Sequence, residues 1–182
     1  MLSFLKKAKF HIRNNLSARC IMKKYMFCDH DDSGDTEYEI EGWSFDILIE
    51  LSLRYCKYFS LAYAENIRAV KELDPFEIAF APSDELKQKW DRFDVFHSRL
   101  PRKYYRLTRE SAAILRNIAE GIFKFTFAFG YENPEDPAFF REDDSVFFVS
   151  VVHEGESYVF AKPDEDVREL IESSGQWQVV TY

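Results

Sequence analysis

Residues 133–145 read NPEDPAFFREDDS and set five carboxylates around two adjacent phenylalanines. With the preceding acid, the group is Glu132, Glu135, Asp136, Phe139, Phe140, Glu142, Asp143 and Asp144. Carboxylates pair with lysines and arginines, and an aromatic ring inside a charged rim is a common anchor of an interface with a basic protein. Two prolines and no regular apolar period predict a loop here. In such a loop a phenylalanine either staples the chain to the core or faces a partner. The expectation is a partner-binding loop.

Other stretches suggest chemistry less well. Asp29, Asp31, Ser33 and Gly34 match positions 1, 3, 5 and 6 of a calcium-binding loop, and Asp35 and Glu37 could serve positions 7 and 9. The bidentate carboxylate needed at position 12 is replaced by Ile40, so no metal site is expected. His153-Glu154 lacks the second histidine four residues on that a metalloprotease helix requires, and it sits in a predicted turn. Cys28 and His30 are close in sequence, but no third group orients them as a nucleophile and base. There is no GxSxG, no phosphate-binding P-loop and no GxGxxG, and the six glycines leave little material for phosphate-cradling loops. The residues name no cofactor and no reaction.

The chain of 182 residues is 46% hydrophobic and 17% aromatic, enough to build a core without disulfides or a structural metal. Three cysteines without a CxxC argue against a disulfide framework, and a reducing cytoplasm is the natural compartment. No apolar run is long enough to cross a membrane.

Charge is unevenly spread. Residues 1–28 carry Lys6, Lys7, Lys9, Arg13, Arg19, Lys23 and Lys24 and no acid. That leaves 17 basic against 32 acidic residues over 29–182, a net of −15. An acidic body repels nucleic acid and attracts basic proteins.

Leu5, Ala8, Ile12, Leu16 and Cys20 recur at helical spacing, so residues 1–28 read as a basic amphipathic helix attached to an acidic body over 29–182. Its modest apolar stripe favours docking on that body over lying on an anionic membrane. Being free of acids it also resembles an organelle transit peptide, the less favoured reading. Leu48, Leu51, Tyr55 and Phe59 predict a second helix with Ser44 as its cap, and Ser83 could start a short one through Trp90. Thr108 should cap a helix ended by Gly121. FSLAY, FEIAFA and YYRL are short enough for strands. Phe123, Phe125, Phe127 and Phe129 alternate as a strand would. SVFFVSVVHEGESYVFA predicts a hairpin around 153–156, Asp164 a helix with Val167, Leu170 and Ile171 buried, and WQVVTY a last strand. Together they predict an α+β single domain, an antiparallel sheet with helices packed mainly on one face.

DPAFFREDDSVFFVSVVHEGESYVF, residues 136–160, resembles segments of the small immunity proteins of bacterial toxin systems, in which an aromatic and acidic stretch leads into a hairpin with an HEG-like turn. The small, acidic, motif-poor chain is similar to that class as a whole. The resemblance implies a non-enzymatic cytoplasmic protein that binds and occludes one basic toxin domain, often a nuclease. It carries no site residues by correspondence. Two alternatives stay open: an enzyme using dispersed carboxylates with His97 or His153, and a peripheral membrane or scaffold protein using residues 1–28.

Overall fold

The computed structural model describes residues 22–28, 39–65, 67, 69–80, 100–126, 132–174 and 176–180. Eight strands make one sheet: β1 (Lys23–Cys28), β2 (Tyr58–Ala62), β3 (Glu77–Ile78), β4 (Arg102–Arg106), β5 (Glu135–Phe140), β6 (Val146–Val151), β7 (Glu156–Ala161) and β8 (Trp177–Val180). Their order is β3-β4-β2-β5-β6-β7-β1-β8, and every neighbouring pair is antiparallel. Three α-helices are seen among the described residues: α1 (Trp43–Tyr55), α2 (Arg109–Ile118) and α3 (Arg168–Ser174). The fold is α+β, as the pattern of elements predicts.

Strand alternation sorts the apolar side chains onto two faces. Phe59, Leu61, Tyr105, Phe139, Phe148 and Val159 share a core with Phe45, Leu48 and Ile49 of α1, Leu115 of α2 and Leu170 of α3. The other face holds a second cluster, with Tyr58, Tyr104, Phe140, Val149, Tyr158 and Phe160 buried and Phe80 packed against them. No described helix contributes to it, so the described helices lie on one face, as expected.

The local signals read well at α2 and the hairpin. The Thr108 hydroxyl accepts the Ser111 amide at 3.2 Å while the Ser111 hydroxyl accepts the Thr108 amide at 2.9 Å, a reciprocal cap. β6 and β7 pair as a hairpin, and Gly155 takes the positive φ of 66° that its turn requires. Val167 and Leu170 are buried as expected and Ile171 only half-buried; α3 starts at Arg168, and it is Asp166, not Asp164, whose carboxylate accepts the Arg168 amide.

Several expectations need correction. The helix expected over 1–28 is contradicted at residues 23–28, because Lys23–Cys28 is β1, paired with both β7 and β8. The described part of that segment is therefore inside the sheet, and a boundary at residue 28 does not separate it from the body. The stripe from Leu5 to Cys20 lies outside the described residues. α1 starts at Trp43 behind Gly42, with no side-chain cap, and stops at Tyr55, so Phe59 belongs to β2 instead. α2 stops at Ile118. Gly121 serves a different end: it approaches Glu41 so closely that a Cβ there would lie 2.8 Å from the Glu41 Cβ. Ile122–Lys124 is a 3-10 turn where a strand is predicted. Phe127, Phe129 and the Ser83–Trp90 helix lie outside the described residues.

Candidate interaction surface

The eight residues expected to form one partner-binding loop do not form a loop or a shared surface. Glu135–Phe140 is β5, a central strand between β2 and β6. Phe139 is 1% exposed and Phe140 fully buried, and they point to opposite faces. Phe140 stacks on Tyr58 at 5.0 Å between ring centroids, and Phe139 lies 6.0 Å from both Phe59 and Phe148. Neither is available as an outward anchor. The strand accommodates its proline through a bulge. Ser60 pairs with Ala138 but Ala62 with Glu135, so β5 carries one extra residue around Asp136-Pro137. A proline needs such a place, because it cannot donate to the ladder. Asp136 takes a φ of 49° there.

Two of the acids are buried with this strand. Glu135 accepts the Thr126 hydroxyl at 3.4 Å. Asp136 accepts the Val152 amide at 2.9 Å, and Arg102 donates to the Asp136 carbonyl at 2.8 Å and to the Ser60 hydroxyl at 3.0 Å. The acids of the β5–β6 turn stay at the surface but have partners. Lys57 donates to Glu142 at 2.5 Å, Lys162 to Asp143 at 2.7 Å, and the Tyr58 hydroxyl to Asp144 at 2.8 Å. Partial burial pushes the Asp143 carboxyl upward, but Lys162 and the hydroxyl and amide of Ser145 outweigh it and hold it at about 2. Glu132 is exposed, ahead of β5.

A different surface combines an exposed aromatic ring with carboxylates. Trp43, at the first turn of α1, is 65% exposed, and it is the exposed aromatic among the described residues. Asp46, Glu50 and Arg54 follow it at three, seven and eleven residues, so the four share one solvent-facing stripe. The Gly42 amide donates to the Glu120 carbonyl at 3.1 Å, which brings the chain beyond α2 against the start of α1. Glu120 thus joins Glu41 beside Trp43. Arg116 of α2 bridges Asp46 at 2.7 Å and Glu50 at 3.0 Å, and Lys124 reaches Glu41 at 2.8 Å and Glu120 at 3.9 Å. Asp46, Glu50, Glu41 and Glu120 therefore pair with Arg116 and Lys124 near the exposed Trp43, with Arg54 one turn beyond Glu50. Behind them Glu39 accepts the Phe123 amide at 2.9 Å, and its burial raises its carboxyl above the ordinary value. At the Arg54 end the stripe runs into a shallow hollow of about 290 Å³ between α1 and α3, whose lining includes Asp166, Arg168, Glu169 and Glu172.

Trp43 was legible in the sequence in one respect. It falls off the apolar stripe of Leu48, Leu51 and Tyr55 and in line with Asp46 and Glu50. A tryptophan on the polar side of an amphipathic helix is an aromatic ring the core does not claim.

His153 and Glu154 are exposed at the hairpin turn, 3.7 Å apart. His97, His30 and Asp29–Glu37 lie outside the described residues, while Ile40 is fully buried. Cys56 is half-buried, and desolvation raises its thiol well above the ordinary range, which disfavours the thiolate. Among the described residues no three His, Cys, Asp or Glu side chains gather as metal ligands, and no helix is long and apolar enough to cross a membrane. No protein family, no curated protein and no solved structure matches the chain.

Proposed function

We propose that this chain is a non-enzymatic binding protein that covers the basic face of a partner protein. The reading is that of an immunity protein occluding a basic toxin domain. Its support is the coincidence of a largely exposed Trp43 with carboxylates around the start of α1, together with the acidic balance of the chain and the resemblance of residues 136–160. Tryptophan is among the residues most often found to dominate binding energy, and a rim of opposite charge steers the encounter. Arg116 and Lys124 hold the carboxylates in place before a partner arrives, which lowers the cost of ordering them. Where a partner uses lysines and arginines to hold phosphates, Glu41, Asp46, Glu50 and Glu120 would compete for the same cations.

The test is co-purification with the product of the adjacent gene, followed by binding kinetics with variants. Trp43→Ala should speed dissociation at a cost of about 2 kcal/mol or more. Asp46→Asn with Glu50→Gln should slow association and flatten its salt dependence. Kinetics that ignore Trp43→Ala, in a variant that melts like wild type, would place the interface elsewhere.

A further inference from the structure

The two edges of the sheet are built differently. β3 is two residues long, follows Pro75, and carries Glu77 ion-paired to Lys103 at 2.9 Å. Shortness, proline and charge are the usual devices that keep an edge strand from pairing with another chain. β8 has none of the last two. Its residues are Trp177, Gln178, Val179 and Val180, uncharged and rich in strand formers, in a chain that is 31% charged. One of its backbone edges is used by β1, in the register Lys24–Val180, Tyr25–Val179, Met26–Gln178 and Phe27–Trp177. No described strand pairs with the other. In an antiparallel ladder alternate residues turn their N–H and C=O groups to opposite sides, so about half of the β8 backbone groups point outward. Val179 is 61% exposed, and Met22, just ahead of β1, is also exposed.

We infer that β8 is an association surface for a second copy of this chain, the two strands pairing antiparallel across a two-fold axis. An edge strand is self-complementary in this arrangement. A two-fold axis perpendicular to the sheet sets one residue opposite its own copy; with Val179 at the axis, Gln178 lies opposite Val180, so both copies fill the same open backbone groups. Charge favours a copy over the basic partner proposed above. Two chains of net charge −8 repel unless they meet where neither carries a carboxylate, and β8 is such a place. A basic partner gains nothing from an uncharged edge. A contact between two short strands is small, so the association should depend on concentration. The result is one continuous sheet through both copies.

Sedimentation over a wide concentration range tests this. The mass should rise from the 21.6 kDa of one chain toward twice that value. Val179→Lys and, separately, Gln178→Lys should each hold it at the single-chain value while leaving the far-UV spectrum and the melting temperature unchanged. The second variant decides if the first fails to fold. A wild-type mass of one chain at the highest soluble concentration would overturn the proposal. So would a dimer that survives both lysines, or one that Trp43→Ala abolishes while the lysines do not.

Discussion

Arg141 and Glu165 form an ion pair that is nearly dry, with side chains 4% and 6% exposed. Arg141 follows β5, and all five of its N–H groups have acceptors. Nε and Nη2 grip the Glu165 carboxylate at 2.6 and 2.5 Å. Nη1 donates to the Val146 carbonyl at 2.6 Å and to the Ser145 hydroxyl at 3.2 Å, and Nη2 also reaches the Phe160 carbonyl. Glu165 accepts the Lys162 amide at 2.8 Å as well. The pair therefore ties β5, β6 and β7 to the connection that leads into α3. Removing one partner of such a pair leaves a buried, uncompensated charge, at about 3–5 kcal/mol. Glu165→Gln keeps the volume and one acceptor but points an amide N–H₂ at a guanidinium, so its cost should be about 3 kcal/mol, and Glu165→Leu should sit at the upper end. Against a total stability of roughly 5–15 kcal/mol, either is a large fraction. Combining Arg141→Met with Glu165→Leu removes both charges and should cost less than the sum of the singles, because neither ion is stranded. Urea unfolding followed by far-UV circular dichroism measures this, with unchanged slopes confirming that only the midpoint moves. A Glu165→Gln midpoint close to wild type, or an additive double variant, would mean that water reaches the pair and that the reasoning from burial is wrong.

Phe140→Ala should cost about 3–5 kcal/mol of stability, since the ring is fully buried against Tyr58 and Tyr104. Its effect on partner binding should vanish once the folded fraction is corrected for; a folded variant with normal stability and faster dissociation would restore Phe140 as an anchor. Asp143 is held at about 2 in the folded chain, below the roughly 3.9 of an unfolded aspartate. A depressed carboxyl contributes stability that is complete above the unfolded value and is lost as pH falls through the folded one. Wild type should therefore lose more stability than Asp143→Asn between about pH 4 and pH 2, an effect reduced by salt because the side chain is more than half exposed. An Asp143 carboxyl that titrates in the ordinary aspartate range by NMR would refute it.

The elements that were legible are those specified by neighbours in sequence. The Thr108–Ser111 cap spans three residues, and the β6–β7 hairpin closes around a glycine whose φ only its turn demands. β5 was not legible, because the reasons it is a strand are remote. Pro137 and the acids argue for a loop, and the bulge that absorbs the proline exists only against β2. Asp136 can be buried because Arg102 and the amide of Val152 come to it from elsewhere in the chain. Lys23–Cys28 has the same difficulty. Basic residues after a helical stripe read as more helix, and only pairing with β7 and β8 makes the segment a strand.

Charge density along a sequence is not charge available to a partner. Glu142, Asp143 and Asp144 form the densest acidic run of residues 132–144, yet each has a donor from the chain itself, and Glu135 and Asp136 are buried. A partner cation approaching the β5–β6 turn must compete with Lys57, Lys162 and Tyr58 for the same oxygens. Near Trp43 the balance is different, since Glu41, Asp46, Glu50 and Glu120 share Arg116 and Lys124, and Trp43 itself is largely exposed. Glu120 is the extreme case: its side chain is 89% exposed and, among the described residues, it pairs only with Lys124, 3.9 Å away and closer to Glu41. A cation from outside can bind there without displacing one from inside. That difference, more than the count of acids, favours the start of α1 over the 132–144 segment as a surface for a basic partner.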